Sequence, residues 1–334
     1  MAVTLKDVAE RAGVSRSAVS RTYTEGASVS AATRAKVEKA ADDLGYSPNV
    51  LASSLTTGRT KLVGVVSDNF HNPIFLNVFD LVTKGLQQRG LRPLLVNLSD
   101  ATDPENSVRM LRQYSVDAAI VASSTLPVSF AQSFHDAGVP VVHSFGRHVP
   151  KPTVHVVGID NVAAGRLAAR TLIDHGYRRI GMMAGPKTAT STQDRVTGFR
   201  QVMAEHREVT ATYSYARAYD FRAGRDEMTR LLAGDRAEAY FCGDDVLSIG
   251  ALSAAESAGL SVPEDLGLLG LNDMEMAAWE NIDLTTIRNP IPEIVAASID
   301  LVEAMLRDPG TSPVARLFDC ELVKRGTLTG DAGD

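Results

Sequence analysis

From Lys61 onward the chain beats between short β-branched runs and helix-length amphipathic stretches, and that alternation restricts the fold more than any other feature. LVGVVS (62–67) is a continuous apolar run, PIFLNVFDLVTKGLQQRG (73–90) reads as a helix closed by Gly90, and PLLVNL returns to strand. A helix from about Asp103 to Tyr114, then DAAIVA, a helix from about Val128 to Ala137, VPVVHSF and TVHVVGI continue the series. Beyond Asp160 the beat repeats, with helices from Asn161 to His175, Gln193 to Glu205, Ala223 to Leu232 and Val246 to Ala258. They are separated by RRIGMMAG, ATYSYA, EAYFCG and LGLLGL. Strands without polar alternation are buried on both faces, as in parallel sheets covered by helices. Two such runs, each of roughly a hundred residues, predict two Rossmann-like lobes and not a single eight-stranded barrel.

The first part of the chain has a different texture. TLKDVAERAGVSRSAVSRTY (4–23) reads as two short helices joined by a tight turn, with Gly13 as the turn residue of positive φ and Ser15 as the N-cap of the second helix. Val8, Val14 and Val19 are expected to face inward with Leu5, leaving Arg16, Ser17 and Arg21 outward. SAATRAKVEKAADD (30–43) forms a third amphipathic helix ended by Gly45. SPNVLASSLTTG (47–58) follows as a helix-capable piece with Pro48 near its start and no core of its own for Val50, Leu51 and Leu55. A helix that shows Arg and Ser in its exposed first turn and buries Val behind them suits the major groove of DNA. Charge agrees with this placement. Residues 1–60 hold eight Lys/Arg against six Asp/Glu, and the rest of the chain holds 26 against 34, so a polyanion would be gripped at the N-terminal end.

Length and composition fit these units. At 334 residues the chain exceeds one typical domain, and 44% apolar with 22% charged residues is ordinary for a globular protein. No apolar run reaches membrane-spanning length and MAVTLKDVAE lacks a signal-peptide core, so a cytoplasmic protein is expected. Cys242 and Cys320 match no metal spacing and are expected to be buried apolar residues.

In open α/β sheets a ligand sits beyond the carboxyl ends of the strands, which for two facing lobes is the cleft between them. The loops there carry Asp68, Asn69, Asn72 and Phe75, then Phe145 and Arg147, then Asp160. The second lobe adds Ser191, Thr192, Asp194 and Arg195, then Tyr219, the pair Asp244 and Asp245, and Asn272 and Asp273. Polar groups among aromatics suit a small polar solute. Asp160, Asp244 and Asp273 serve equally well as ordinary helix caps, whereas Arg195 would work against a helix dipole and is harder to explain structurally. Catalytic signatures are missing from the sequence. There is no G-x-G-x-x-G after the first strand, no G-x-x-x-x-G-K-[ST], no G-x-S-x-G and no H-E-x-x-H, and the seven histidines are scattered. No metal and no cofactor are expected, and binding is favoured over turnover. The rivals are a solute-binding protein or a sugar-processing enzyme with an appended headpiece.

These residues together resemble the lac repressor-type (LacI/GalR) family of transcriptional regulators, from about Thr4 to Thr327. The resemblance rests on LKDVAERAGVSRSAVSR, ATRAKVEKAADDLGYSPN, GRLAARTLIDHGYRRIGMMAGP with R-x-x-G-F at 195–199, and LTTIRNP. It implies an N-terminal all-α helix-turn-helix headpiece (1–47), a hinge helix and linker (48–60), and an α/β core of two Rossmann-like lobes of the periplasmic binding protein type I kind (61–334). The N-lobe would take about 61–159 and 290–317, the C-lobe about 160–289 and 318–330. Position by position, Arg16 and Ser17 fall at base-reading positions, and Ser15, Ser20, Arg21 and Thr33 at phosphate-contacting or supporting ones. Asn49 falls at the hinge start, and Leu55 at the leucine wedged into the minor groove. Ser53, also carried over as a DNA contact, stands where many members have Arg.

In the core, Asn72, Phe75, Phe145, Ser191, Arg195, Tyr219, Asp245 and Asn272 fall at or near the family's effector-contact positions. Phe145 stands where Asp is frequent, Asp244 where Asn is usual and Asn272 where Asp is usual, so the last two exchange a charge between them. The resemblance implies a regulator of the repressor kind, acting as a homodimer on a palindromic operator in double-stranded DNA. The expected effector is a sugar or sugar derivative, with a purine-like ring between Phe145 and Tyr219 as the alternative. TLTGDAGD, at the C-terminal end, has no heptads for a tetramer.

Overall fold

The computed structural model describes residues 3–24, 26–47, 58–98 and 104–330. It divides into two compact units, Met1–Thr60 and Lys61–Asp334. Asn49, Ser53, Leu55 and the expected hinge helix lie outside the described residues.

The first unit is three helices, α1 (Leu5–Ala12), α2 (Arg16–Thr22) and α3 (Ala31–Leu44). Each begins at a side-chain cap. Thr4 and Asp7 form a reciprocal capping box on α1, Ser15 accepts from the Ala18 amide on α2, and Ser30 accepts from the Thr33 amide on α3. Gly13 ends α1 at φ 65°, a left-handed conformation costly for other residues, and turns the chain into α2 within three residues. Val8, Ala9, Val19, Val37, Ala40 and Ala41 close a small core, with Leu5 and Val14 at its edge.

The second unit contains two six-stranded sheets. The elements of the first are β1 (Leu62–Ser67), α4 (Ile74–Gln88), β2 (Arg92–Asn97), α5 (Pro104–Gln113), β3 (Ala118–Ala122), α6 (Val128–Asp136), β4 (Val141–Ser144) and β5 (His155–Ile159). The second is built from α7 (Asn161–Asp174), β6 (Arg179–Ala184), α8 (Thr190–Glu205), β7 (Thr210–Tyr215), α9 (Phe221–Leu232), β8 (Ala239–Cys242), α10 (Asp245–Ser257) and β9 (Gly267–Asn272). With β10 (Thr286–Arg288), β11 (Ala315–Phe318) and β12 (Glu321–Val323) from the last third of the chain, the strand orders are β11-β5-β4-β3-β1-β2 and β12-β10-β9-β8-β6-β7. All recorded pairings are parallel except that of β12 with β10. Parallel strands buried on both faces explain the unbroken apolar runs. Pro93 is tolerated because β2 is an edge strand.

The last third departs from the simple beat. A 3-10 turn (Glu275–Ala278) and β10 (Thr286–Arg288) precede α11 (Ile291–Arg307), β11 (Ala315–Phe318) and β12 (Glu321–Val323). None of these elements is legible as a strand–helix repeat, because α11 returns to the first sheet while β12 returns to the second. Helix α11 lies against α4 through Arg89 to Asp300 and Glu303, and Ser298 bonds Ser144 of β4 at 2.7 Å. The chain therefore crosses between lobes three times, at 159–161, 288–291 and 318–321. Two other sequence expectations shift. Helix α8 begins at Thr190, three residues earlier than read, so Ser191 and Thr192 sit on its first turn and not in a loop. Cys242 is buried as expected, but Cys320, in the third crossing, is only partly so. Among the described residues no helix is long and apolar enough to cross a membrane.

Candidate nucleic-acid interface and effector cleft

On α2 the residues Arg16, Ser17, Ser20 and Arg21 are all exposed, while Val19 behind them is fully buried. Spacings of one, four and five residues place them on one side of a helix. The Ser15 hydroxyl both caps α2 and meets the Ser17 hydroxyl at 2.9 Å. Thr33, half-buried, bonds the Ser30 hydroxyl at 2.8 Å in the first turn of α3, and Arg34 donates to the Thr22 carbonyl at 2.8 Å. The amides of two helix N-termini and two guanidiniums with no ion-pair partner among the described residues form a surface suited to phosphates and base edges.

In the second unit the carboxyl ends of both sheets face one narrow space, with room for about 30 Å³ between its walls. Its walls differ chemically. Ile74, Phe75 and Val78 of α4, Phe145 after β4, Ile159 and Ile291 give an apolar side, with Phe75 and Phe145 edge to face at 6.1 Å. Asn161, Arg195, Asp244, Asn272 and Asn289 give a polar side, joined by Asn72 and Ser124 from the first lobe.

The polar side is bonded into a network. The Asp244 Oδ2 atom accepts from Asn72 Nδ2 and from Asn272 Nδ2, each at 2.9 Å, while its Oδ1 caps α10 through the Val246 amide. Asn289 donates to Asn272 Oδ1 at 3.1 Å, and its own Oδ1 is buried without a partner among the described residues. Arg195 donates from Nε to Asn161 Oδ1 at 2.8 Å and from Nη1 to the Gly243 carbonyl at 2.6 Å. Helices α7 and α8 cross on glycine, which brings Arg195 to this point. A Cβ on Gly165 would stand 2.1 Å from the Arg195 carbonyl, and one on Gly198 would stand 1.9 Å from the Val162 carbonyl. Any larger residue would push α8 and its arginine away.

Five of the eight sequence-derived effector residues, Asn72, Phe75, Phe145, Arg195 and Asn272, line this space. Ser191, Tyr219 and Asp245 do not. Ser191 and Thr192 are buried on α8 with their hydroxyls on the Tyr219 hydroxyl at 3.4 and 2.7 Å, and the Tyr219 ring covers Gly185. Phe145 and Tyr219 therefore do not face each other across the cavity in this conformation. Asp245 is fully buried one residue past the cleft, accepting from Thr286 Oγ1 at 2.5 Å and the Met274 amide at 2.8 Å. Its neighbour Asp244 faces the cavity instead. Asp244, expected among the cleft loops, lines it too, and Ser124, Asn161 and Asn289 join it without a sequence expectation. Ser124 and Asn161 stand two residues past the ends of β3 and β5, a positional signal available in the sequence, whereas Asn289 follows β10, a strand too short to be legible.

Burial dominates the electrostatics. It pushes the Asp244 carboxyl up to about 6, against the pull of the Val246 amide, Asn72, Arg195 and Asn272. It pushes Asp245 up to about 7, against Thr286 and the Met274 amide. Beneath the first lobe's loop, burial holds His143 down at about 4, with its Nε2 on the Ser123 carbonyl at 3.1 Å. Backbone strain gathers at the same place, since Phe145, Asn272 and Asp273 have φ of 65°, 125° and 54°. Asp273 is held there by Arg325 at 2.6 Å and Arg288 at 2.9 Å. Asp160 is the ordinary N-cap of α7, accepting from the Ala163 amide at 2.9 Å.

Comparison with known proteins matches both units. Residues 4–49 fit the family described as bacterial regulatory proteins, lacI family, and residues 169–328 fit the periplasmic binding protein-like domain. The HTH-type transcriptional repressor CytR of Escherichia coli (strain K12) is 30% identical over 331 residues, which is 98% of this chain and 96% of that protein. The lac repressor dimer bound to operator and the anti-inducer ONPF superposes with a TM-score of 0.87 at 25% identity, over 98% of this chain and 99% of that one. A complex of the transcriptional regulator CelR with cellobiose gives a TM-score of 0.72 at 28% identity, over 97% and 99%.

Proposed function

The chain belongs to the lacI family of bacterial regulatory proteins, and from that premise we propose that it is a sequence-specific DNA-binding transcriptional repressor whose operator affinity is set by a small polar effector held between its two core lobes. The observation that carries the reading is the exposed Arg16–Ser17–Ser20–Arg21 face on a capped second helix, in a chain that aligns end to end with a repressor. Arg16 and Ser17 lie in the first turn, which in a helix-turn-helix enters the major groove and meets base edges. Ser20 and Arg21 lie a turn later, where phosphates run. Residues 48–60 act as the hinge, with Leu55 as the minor-groove wedge and Asn49 and Ser53 beside it. The protein works as a homodimer, so its operator is an inverted repeat with matched half-sites. Its place of action is the bacterial cytoplasm, where operator DNA is found.

The effector enters between the apolar wall of Phe75 and Phe145 and the polar wall of Arg195, Asp244, Asn272 and Asn289. One wall takes a flat apolar face and the other takes hydroxyls, the two surfaces of a sugar ring or glycoside. Carboxamides at four positions of that wall, Asn72, Asn161, Asn272 and Asn289, also match the alternating donors and acceptors of a nucleobase edge, which makes a nucleobase or nucleoside the second reading. Carboxamides, a guanidinium and a carboxylate already bonded to two amides bind and orient; turnover is not part of the reading. Binding shifts the lobes, hence the meeting of the two subunits and the spacing of paired hinges. A coupling of about 1–3 kcal/mol changes operator affinity about five- to 150-fold.

Selection of duplexes from a random library by the full-length protein tests this, followed by binding of the selected site with and without cellobiose, methyl glucoside, cytidine and adenosine. An inverted repeat bound more weakly as salt rises, with affinity altered by one of these compounds, is expected. Failure to prefer any inverted repeat at any salt concentration would remove the regulatory reading.

A further inference from the structure

Helix α8 starts differently from the other helices of its lobe. Among the described residues, α7, α9 and α10 are each capped by their own aspartate, Asp160, Asp220 and Asp244. At the N-cap of α8 stands Ala189, which supplies no side-chain bond. Its first turn is satisfied from the opposite lobe. The Ser124 carbonyl, at the end of β3, accepts from the Ser191 amide and from Thr190 Oγ1, both at 3.2 Å. Arg147, in the loop after β4, closes over the same turn. It reaches Asp194 Oδ2 from Nε at 2.8 Å, the Thr190 carbonyl at 3.0 Å and Gln193 Oε1 at 2.9 Å. A second contact to Asp194, at 2.8 Å, makes the pairing two-pronged.

Both partners of this contact are themselves fixed to the cavity. Arg147 follows Phe145, a cavity-lining residue, and Gly146, which lies so close over the buried His143 ring that a Cβ would stand 2.6 Å from it. Arg195, on the other side, is the residue after Asp194 and lines the cavity from α8.

We propose that Arg147 and the Ser124 carbonyl form an interlobe latch that caps α8 only when the cleft is shut, and that they are positioning residues which set the approach of Arg195 to a bound effector. Opening the cleft leaves α8 with unpaired amides and Asp194 without its guanidinium, so the first turn of α8 frays as the lobes part. The link to effector response rests on the regulatory reading above; the latch itself rests on these contacts.

Hydrogen exchange on the full-length protein tests it. In Arg147→Met, exchange over 190–197 should rise about tenfold while 245–257 and 291–307 keep wild-type protection. Asp194→Asn, which is isosteric, should show the same local change and carries the test if the first variant does not fold. Arg147→Lys should fall between, since it keeps the charge and loses the fork. Raising NaCl from about 0.05 M to about 1 M should speed exchange of this segment in the wild type more than in Arg147→Met, because the pair is partly exposed and screened. Wild-type protection of 190–197 in both Arg147→Met and Asp194→Asn, or an equal rise in every segment, overturns the latch. The measurement needs neither operator nor effector. A wild-type protein that selected no duplex would therefore overturn the regulatory reading and leave the latch result standing.

Discussion

Asn72 and Asp244, 172 residues apart in the chain and on opposite lobes, are joined by a 2.9 Å hydrogen bond across the cleft. The same carboxylate oxygen accepts from Asn272, and Asn272 accepts from Asn289, the second residue of the second crossing. A run of amides thus leads from the start of α4 through the cavity to the start of α11, which packs back onto α4. A molecule that competes for the Asp244 oxygen acts on both lobes and on the crossing between them. This gives the cleft a physical route from occupancy to lobe geometry without any distant pathway.

The contact between Asp244 and Asn272 supports a double-variant prediction. Asp244→Asn leaves one carbonyl where two carboxylate oxygens took three donors, so an amide faces an amide and stability falls by about 1–3 kcal/mol. Changing Asn272→Asp in the same chain gives the new amide a carboxylate to donate to. The double variant should then recover more than half of that loss, a coupling of about 1 kcal/mol or more by urea titration. Additive losses would mean the two side chains act independently.

Several of these relationships are legible in the sequence and several are not, for identifiable reasons. Ser15 and Gly13 announce the turn and second helix of the headpiece because caps and left-handed turns are local, fixed within four residues. The unbroken apolar strands announce two parallel sheets for the same local reason. Asp244 and Asp245 are different. Both follow β8, and only the extended backbone at Asp244, φ −166°, decides which carboxylate faces the cavity and which goes under β10. Asn289 owes its place to a strand of three residues, too short for a periodic signal. Tyr219 sits in the right loop, yet its hydroxyl is taken by Thr192 on a helix that starts one turn earlier than its pattern suggests.

Stability should respond to pH through three buried groups whose slopes oppose each other. Asp244 and Asp245 have folded values raised above that of the unfolded chain, so they bind more protons folded, and their contribution is lost as pH rises from about 4 through about 6 and about 7. His143 is held down at about 4 from 6.5, so it binds more protons unfolded and its contribution is lost as pH falls across that window. The slopes offset one another between about 4 and 6.5, and above that only the carboxyls remain. Asp245→Asn removes the higher of the two, so its denaturation midpoint should rise with pH relative to wild type between about pH 5 and pH 7. Parallel curves for the two proteins would show that Asp245 is ionised throughout.

Arg16 and Arg21 share one exposed face but are expected to fail differently. Arg16→Ala removes a first-turn group at base-reading depth, so the selected site should lose its preference at one position of each half-site, worth about 1–3 kcal/mol. Arg21→Ala, a turn further on at the position proposed for phosphate, should weaken all sequences alike and lower the salt slope by about one per subunit. Competition binding against single-base variants separates the two. An unaltered preferred site after Arg16→Ala would move base reading elsewhere on α2.

Leu76 on α4 is 76% exposed, more than any other large apolar side chain among the described residues, and it borders a surface hollow with Met274, Met276 and Pro73. A leucine held in water on a rigid helix, beside two methionines from the other lobe, is a natural contact for the second subunit. Because the hollow draws on both lobes, a subunit seated there would feel their relative movement, as allosteric control through a dimer requires. Were the second subunit seated on this hollow, burying that side chain would contribute about 1.5–3 kcal/mol from each of the two copies. Leu76→Asp should therefore raise the dimer dissociation constant by about a hundredfold or more, seen as a shift toward monomer by sedimentation velocity at micromolar protein. Operator binding should weaken with it while the denaturation midpoint of the isolated subunit hardly moves. A variant that sediments as the wild type does would place the subunit interface away from α4.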